Sequence, residues 1–161
     1  MVLLAAACSG DHGPRVRLRA TVVHATTDST RDTVRFEADA VAHRCGEGRG
    51  VLLEGWRGGN GILVWLRPGD SALAGEYTAL PRADASARRG AIGAARFMRG
   101  DVAQGTNIDS GTVIVAQSGD RLDVTAHGSG LATPGGMRVA VTAAFTRVPA
   151  PADSTPCVVQ P

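Results

Sequence analysis

From residue 15 onward, apolar and polar side chains alternate at every second position, and the alternation is interrupted only by clusters of Gly, Asp, Asn and Pro. A period of two belongs to strands with one buried and one wet face. It predicts strands over 15–26, 32–43, 50–57, 61–67, 74–80, 91–99, 111–117, 121–129 and 137–148, with 82–90 as the only stretch that reads as a short helix. Parallel sheets need crossover helices that this pattern lacks, so the expected fold is an all-β antiparallel sandwich of about nine strands. A calycin-like closed barrel is the alternative. Pro149, Pro151, Pro156 and Pro161 follow the last strand and are expected to stop any further ladder.

Turn chemistry sets two registers. An Asn60–Gly61 turn would put Trp56 opposite Trp65 and Glu54 opposite Arg67, with Val51, Leu53, Ile62, Val64 and Leu66 on the other, core-facing side. A Gly119–Asp120 turn would pair Gln117 with Leu122, Val115 with Val124 and Val113 with Ala126, leaving Thr112, Ile114, Asp123, Thr125 and His127 on a wet face. In the last strand Met137, Val139, Val141, Ala143 and Phe145 share the core side, and a third turn falls at Thr133 to Gly136.

Composition narrows the partners. The chain has 161 residues, 43% apolar and 20% charged, which suits one domain with a single core and excludes a polytopic membrane protein. The 17 basic residues are all arginine and are dispersed, and the net charge is only +2, so no nucleic-acid partner is expected. Aromatics make up 4%, so Val, Leu, Ile and Ala must build the core.

Before the alternation begins, the apolar run Val2, Leu3, Leu4 closes on Ala5, Ala6 and Ala7 directly ahead of Cys8. This resembles the bacterial lipoprotein signal, in which the cysteine sulfur is acylated and cleavage makes that cysteine the new N-terminus. Ala5 stands where leucine is commonest and no basic residue precedes the run, so the leader is expected to start upstream of Met1. The resemblance implies a truncated signal at 1–7, a lipid on Cys8 as the membrane partner, a tether at 8–14, the sandwich at 15–148 and a tail at 149–161 in the bacterial envelope. Lipidation also explains the odd count of three cysteines. Cys45, in a Gly-rich turn, and Cys157, in the Pro-rich tail, are then expected to form a disulfide that pins the tail.

The C-terminal half carries a second resemblance. Its Gly111–Val115 strand, Ser118-Gly119-Asp120 turn, Pro134-Gly135-Gly136 turn and Val139–Phe145 strand resemble the small uncharacterised all-β lipoproteins of the bacterial envelope, over residues 50–148. It implies a β-sandwich and carries over no active-site residue.

Chemical signatures are sparse. Asp109-Ser110-Gly111-Thr112 matches the turn of aspartic proteases, but only 52 residues follow Asp109 and the second apolar-apolar-Gly segment is missing. Gly69-Asp70-Ser71 matches an esterase block that belongs to an α/β fold. His12, His24, His43 and His127 lack metal-ligand spacing, although His24 and His43 would meet if the first two strands paired; no metal and no cofactor is expected. His127, beside Asp123 and Thr125, lacks an identifiable nucleophile.

Two features favour binding. Arg15, Arg17 and Arg19 share one face of the first strand, close to the expected lipid, where they could meet anionic headgroups. Trp56 and Trp65, flanked by Glu54 and Arg67, could form a platform for a glycan or an envelope protein. The resulting expectation is a lipid-anchored, non-catalytic binding or scaffolding protein, with a hydrophobic-ligand carrier and then a hydrolase as alternatives.

Overall fold

The computed structural model describes residues 17–25, 31–46, 50–81, 87–151, 154–155 and 157, so Cys8, the tether and Arg15 lie outside the described residues. The strands are β1 (Leu18–Ala25), β2 (Arg31–Ala38), β3 (Ala40–Cys45), β4 (Val51–Arg57), β5 (Asn60–Arg67), β6 (Gly75–Thr78), β7 (Gly90–Arg99), β8 (Val102–Ile108), β9 (Ser110–Ser118), β10 (Arg121–Thr133), β11 (Arg138–Pro149) and β12 (Ser154–Thr155). They follow the order β12-β3-β4-β5-β7-β8-β10-β11-β1-β2, with β9 added to β10 and β6 to β9. One sheet holds β6, β9, β10, β11, β1 and β2, and the other holds β12, β3, β4, β5, β7 and β8. The ladder ends at β12 and β2 without closing. The chain is therefore a sandwich-like antiparallel structure, and the barrel alternative does not form. Among the described residues no helix is long and apolar enough to cross a membrane.

A single core fills the space between the sheets. Leu18, Ala20 and Val22 of β1 and Val139, Val141, Ala143 and Phe145 of β11 face Leu53, Ile62, Val64, Leu66 and Phe97 of the opposite sheet, and all are buried. The Gly119–Asp120 hairpin has the expected register, with Val115 opposite Val124 and Val113 opposite Ala126.

Two bent strands join the sheets. β2 and β3 are separated only by Asp39: Ala38 pairs with Leu18 in the first sheet, and Ala40 pairs with Gly55 in the second. Ala38 and Ala40 are both buried, so the alternation runs unbroken through the corner and 32–43 reads as one strand. A Cβ on Gly55 would lie 2.7 Å from both the Asp39 carbonyl and the Leu18 side chain, which is why glycine sits under the bend. The second corner, at Asp109, joins β8 to β9, and β10 pairs with both. β8 was not expected from the pattern. Its sequence, Val-Ala-Gln-Gly-Thr-Asn-Ile, buries Thr106 and Ile108 but exposes Val102, which inverts the usual polarity signal.

The tail also departs from expectation. Pro149 ends β11 opposite Arg121, and the chain then contributes a short parallel strand, β12, whose Ser154 and Thr155 pair with Arg44 and Cys45. Proline therefore does not end the ladder, because the two residues that pair are not prolines. This return brings Cys157 to Cys45 with a Cα–Cα distance of 5.0 Å, and the two form the expected disulfide across 112 residues of sequence.

Candidate functional site

The β4–β5 hairpin turns at Gly58–Gly59 and not at Asn60–Gly61. A tight turn of this kind requires positive φ at both central residues, and Gly58 (φ 57°) and Gly59 (φ 81°) supply it without a Cβ penalty. Arg57 consequently pairs with Asn60, Trp56 with Gly61, Glu54 with Leu63 and Leu52 with Trp65, while Arg67 lies beside Gly90 of β7. The expected Trp56–Trp65 and Glu54–Arg67 pairs do not form. Trp56's partner moves from Trp65 to Gly61, an even step, so face assignments survive. Both indoles lie opposite the buried Val51, Leu53, Ile62, Val64 and Leu66.

Trp56 is 49% exposed and lies flat on Gly61, where a Cβ would fall 1.8 Å from its ring. Its indole Nε1 donates to Glu54 Oε2 at 3.2 Å, and Glu54 Oε1 is 3.2 Å from His43 Nε2. The exposed Val41, opposite Glu54, extends this patch. Trp65 is half-buried with the Arg67 guanidinium 5.7 Å from its ring centroid. The outer face thus carries two separate aromatic patches in place of one stacked platform. Gly61→Ala should lift the indole off the strand while the fold persists; in a Trp65→Phe background the Trp56 emission should shift to the red, and an unchanged spectrum would refute the stacking.

The amino-terminal arginines are partly engaged. Arg17 donates to the carbonyl of Arg147, and Arg19 Nε lies 2.8 Å from Glu37 Oε1, with both partners of that pair well exposed. Arg15 falls outside the described residues.

A cleft of about 720 Å³ opens where the β4–β5 turn approaches the first sheet. Arg19, Thr21, Arg35, Glu37, Thr142 and Ala144 reach it from β1, β2 and β11, and Arg57 and Asn60 reach it from the hairpin, with Phe36 at its side. No carboxylate among the described residues pairs with Arg35 or Arg57. The sequence reading missed this group, because alternation assigns each arginine to a wet face without showing that a hairpin from the other sheet arrives beside β2.

Asp109 is committed elsewhere. Arg138 Nη1 and Nη2 donate to its two carboxylate oxygens at 2.9 and 3.3 Å, and Arg138 Nη1 also reaches Ser129 Oγ, which lies 2.9 Å from Ser110 Oγ. The Arg138 hydrogen bond holds the Asp109 carboxyl below the usual carboxylate range. A carboxylate clamped to an arginine ties the β8–β9 corner to β11, and its lowered pKa runs opposite to the raised one that the shared proton of aspartic protease chemistry needs.

His24 and His43 do not meet: His24 faces inward from β1 with Asp32 as its β2 neighbour, and His43 lies on β3 in the other sheet. His24 is 0% exposed and neither ring nitrogen has a hydrogen-bond partner among the described residues. Burial, reinforced by the Arg99 guanidinium and partly opposed by Asp32, holds its pKa below the ordinary 6.5. The unfolded chain therefore takes up a proton that the folded chain resists, so stability is full above pH about 6.5 and declines as pH falls below it, by about 1.4 kcal/mol per unit until the folded-state pKa is reached. Urea melts from pH 7.5 to 4.5 should show less of this decline in His24→Leu than in the wild type; equal slopes would remove His24 as its source.

No group of three or more His, Cys, Asp or Glu side chains converges as a metal site among the described residues. Comparison with protein-family models, with curated proteins and with solved structures returns no match for this chain.

Proposed function

We propose that this chain is a lipid-anchored protein of the bacterial cell envelope whose β-sandwich binds and does not catalyse. The cysteine inventory carries the reading: of three cysteines, Cys45 and Cys157 are paired, which leaves Cys8 behind a run of small residues as the acyl acceptor. A disulfide across so long a loop also suits an oxidising compartment. The half-exposed Trp56, oriented by Glu54 and His43, supports a glycan or an envelope protein as the partner, since a flat indole beside a carboxylate can stack on a ring and accept its hydroxyls. Arg15, Arg17 and Arg19 would be the first side chains to meet anionic headgroups.

Metabolic labelling with an alkyne fatty acid, in a host expressing the gene with its full native leader, tests the anchor. The wild type should be labelled and recovered with membranes, and Cys8→Ser should be neither. Labelling of Cys8→Ser, or an intact Met1 to Cys8 segment on the mature protein, would defeat the proposal. For the binding face, Trp56→Ala should cost about 1 to 3 kcal/mol of stability, less than a fully buried aromatic because the ring is half in water already, while reducing partner capture.

A further inference from the structure

The cleft between the β4–β5 turn and the first sheet is lined by three arginines, Arg19, Arg35 and Arg57, and one acidic residue, Glu37. Glu37 is engaged by Arg19 at 2.8 Å. Among the described residues no carboxylate pairs with Arg35 or Arg57, so these two arginines bring further positive charge to one concavity. Like charges held together repel, and an oxyanion between them relieves that repulsion while accepting charge-assisted, bidentate hydrogen bonds from the planar forks.

The floor is built for something larger than a bare anion. Thr21 pairs with Arg35 on one side and with Thr142 on the other, and Thr142 pairs with His127, which pairs with Thr112. A polar row thus leads away from Arg35, with the hydroxyls of Thr21 and Thr142 inside the cleft and His127 and Thr112 continuing it beyond. The short Thr21, Thr142 and Ala144 side chains leave the depression, and the long arginines wall it. Phe36 offers apolar area at the edge, and the exposed Glu37 oxygens can accept hydroxyls. The volume of about 720 Å³ falls within the roughly 300–1,000 Å³ of small-molecule sites.

We infer that this cleft is a binding site for an acidic saccharide, a sugar bearing a phosphate or a carboxylate, with Arg35 and Arg57 gripping the charged group and the Thr21–Thr142 row receiving the ring hydroxyls. Trp56 does not line this cleft and Arg35 and Arg57 take no part in the proposed anchor, so although Arg19 is common to both, the site can be tested separately from the function proposed above.

Isothermal titration of the full chain with glucose 6-phosphate, glucuronate, glucose and inorganic phosphate tests it. One or both acidic sugars should bind, with affinity falling as salt rises, and glucose and inorganic phosphate should each bind at least about tenfold more weakly. Arg35→Gln and Arg57→Gln should each weaken the acidic sugar by about tenfold, and Thr142→Val should weaken it measurably, while Arg121→Gln, at the distant β9–β10 turn, should bind as the wild type does. Unchanged circular dichroism and melting temperature in the exposed-arginine variants establish that the fold is intact. Three results would overturn the inference: neither acidic sugar binds; inorganic phosphate binds as tightly as glucose 6-phosphate; or the Arg35→Gln/Arg57→Gln double variant retains wild-type affinity. Binding to phosphatidylglycerol vesicles without binding to either soluble acidic sugar would likewise overturn it in favour of a headgroup surface.

Discussion

Replacing both Cys45 and Cys157 by alanine is expected to lower the unfolding free energy by about 4 to 5 kcal/mol, the loop-entropy value for a cross-link spanning 112 residues. In a chain of this size that is a fall of about 10 to 20 °C in melting temperature. The double variant is the right form of the test, because a single replacement would leave a lone thiol, and Cys45 is buried. The tail should suffer first: β12 holds to β3 through only Ser154 and Thr155, too short a ladder to persist once its covalent end is cut. Urea melts of the wild type with and without reductant, set beside the double variant, measure the effect, and a difference below about 1 kcal/mol would mean that the unfolded chain is not materially constrained by the bond.

Phe97→Ala should be comparably damaging, at about 3 to 5 kcal/mol. Phe97 is fully buried on β7, and its ring meets that of His24 from the opposite sheet edge-on, with centroids 5.1 Å apart and planes at 71°. Removing it opens a cavity that spans the two layers. The cavity would also have one polar wall, the imidazole that has no hydrogen-bond partner among the described residues, so water entering it would solvate His24 and flatten the decline of stability at acid pH. A Phe97→Ala variant that loses stability but keeps the full acid slope would show that the cavity stays dry.

Most of the fold is legible in the alternation because each strand has one face in a shared core, and parity alone distinguishes Leu53 from Leu52 or Val113 from Ile114. Parity is blind to anything that preserves it. The corner at Asp39 keeps buried residues on even numbers, so nothing in the pattern marks the change of sheet. The β4–β5 register is similarly hidden: Gly58–Gly59 and Asn60–Gly61 are both acceptable turns, both keep the Trp56 face, and only the paired residues differ. The Gly-Gly pair is favoured because both positive φ values then come without a side chain. The arginine cleft is a product of these same features, since it exists only where a correctly turned hairpin meets a strand of the other sheet.

β1 is an interior strand, flanked by β11 on one side and β2 on the other, antiparallel to both. Tension applied through the segment before Leu18 acts along the axis of β1, so it must shear the pairs from Leu18 to His24 on both flanks together and cannot peel them one at a time. An edge strand in that position would unzip under far smaller force. If the proposed amino-terminal anchor holds, this placement would load β1 in shear against both neighbours at once.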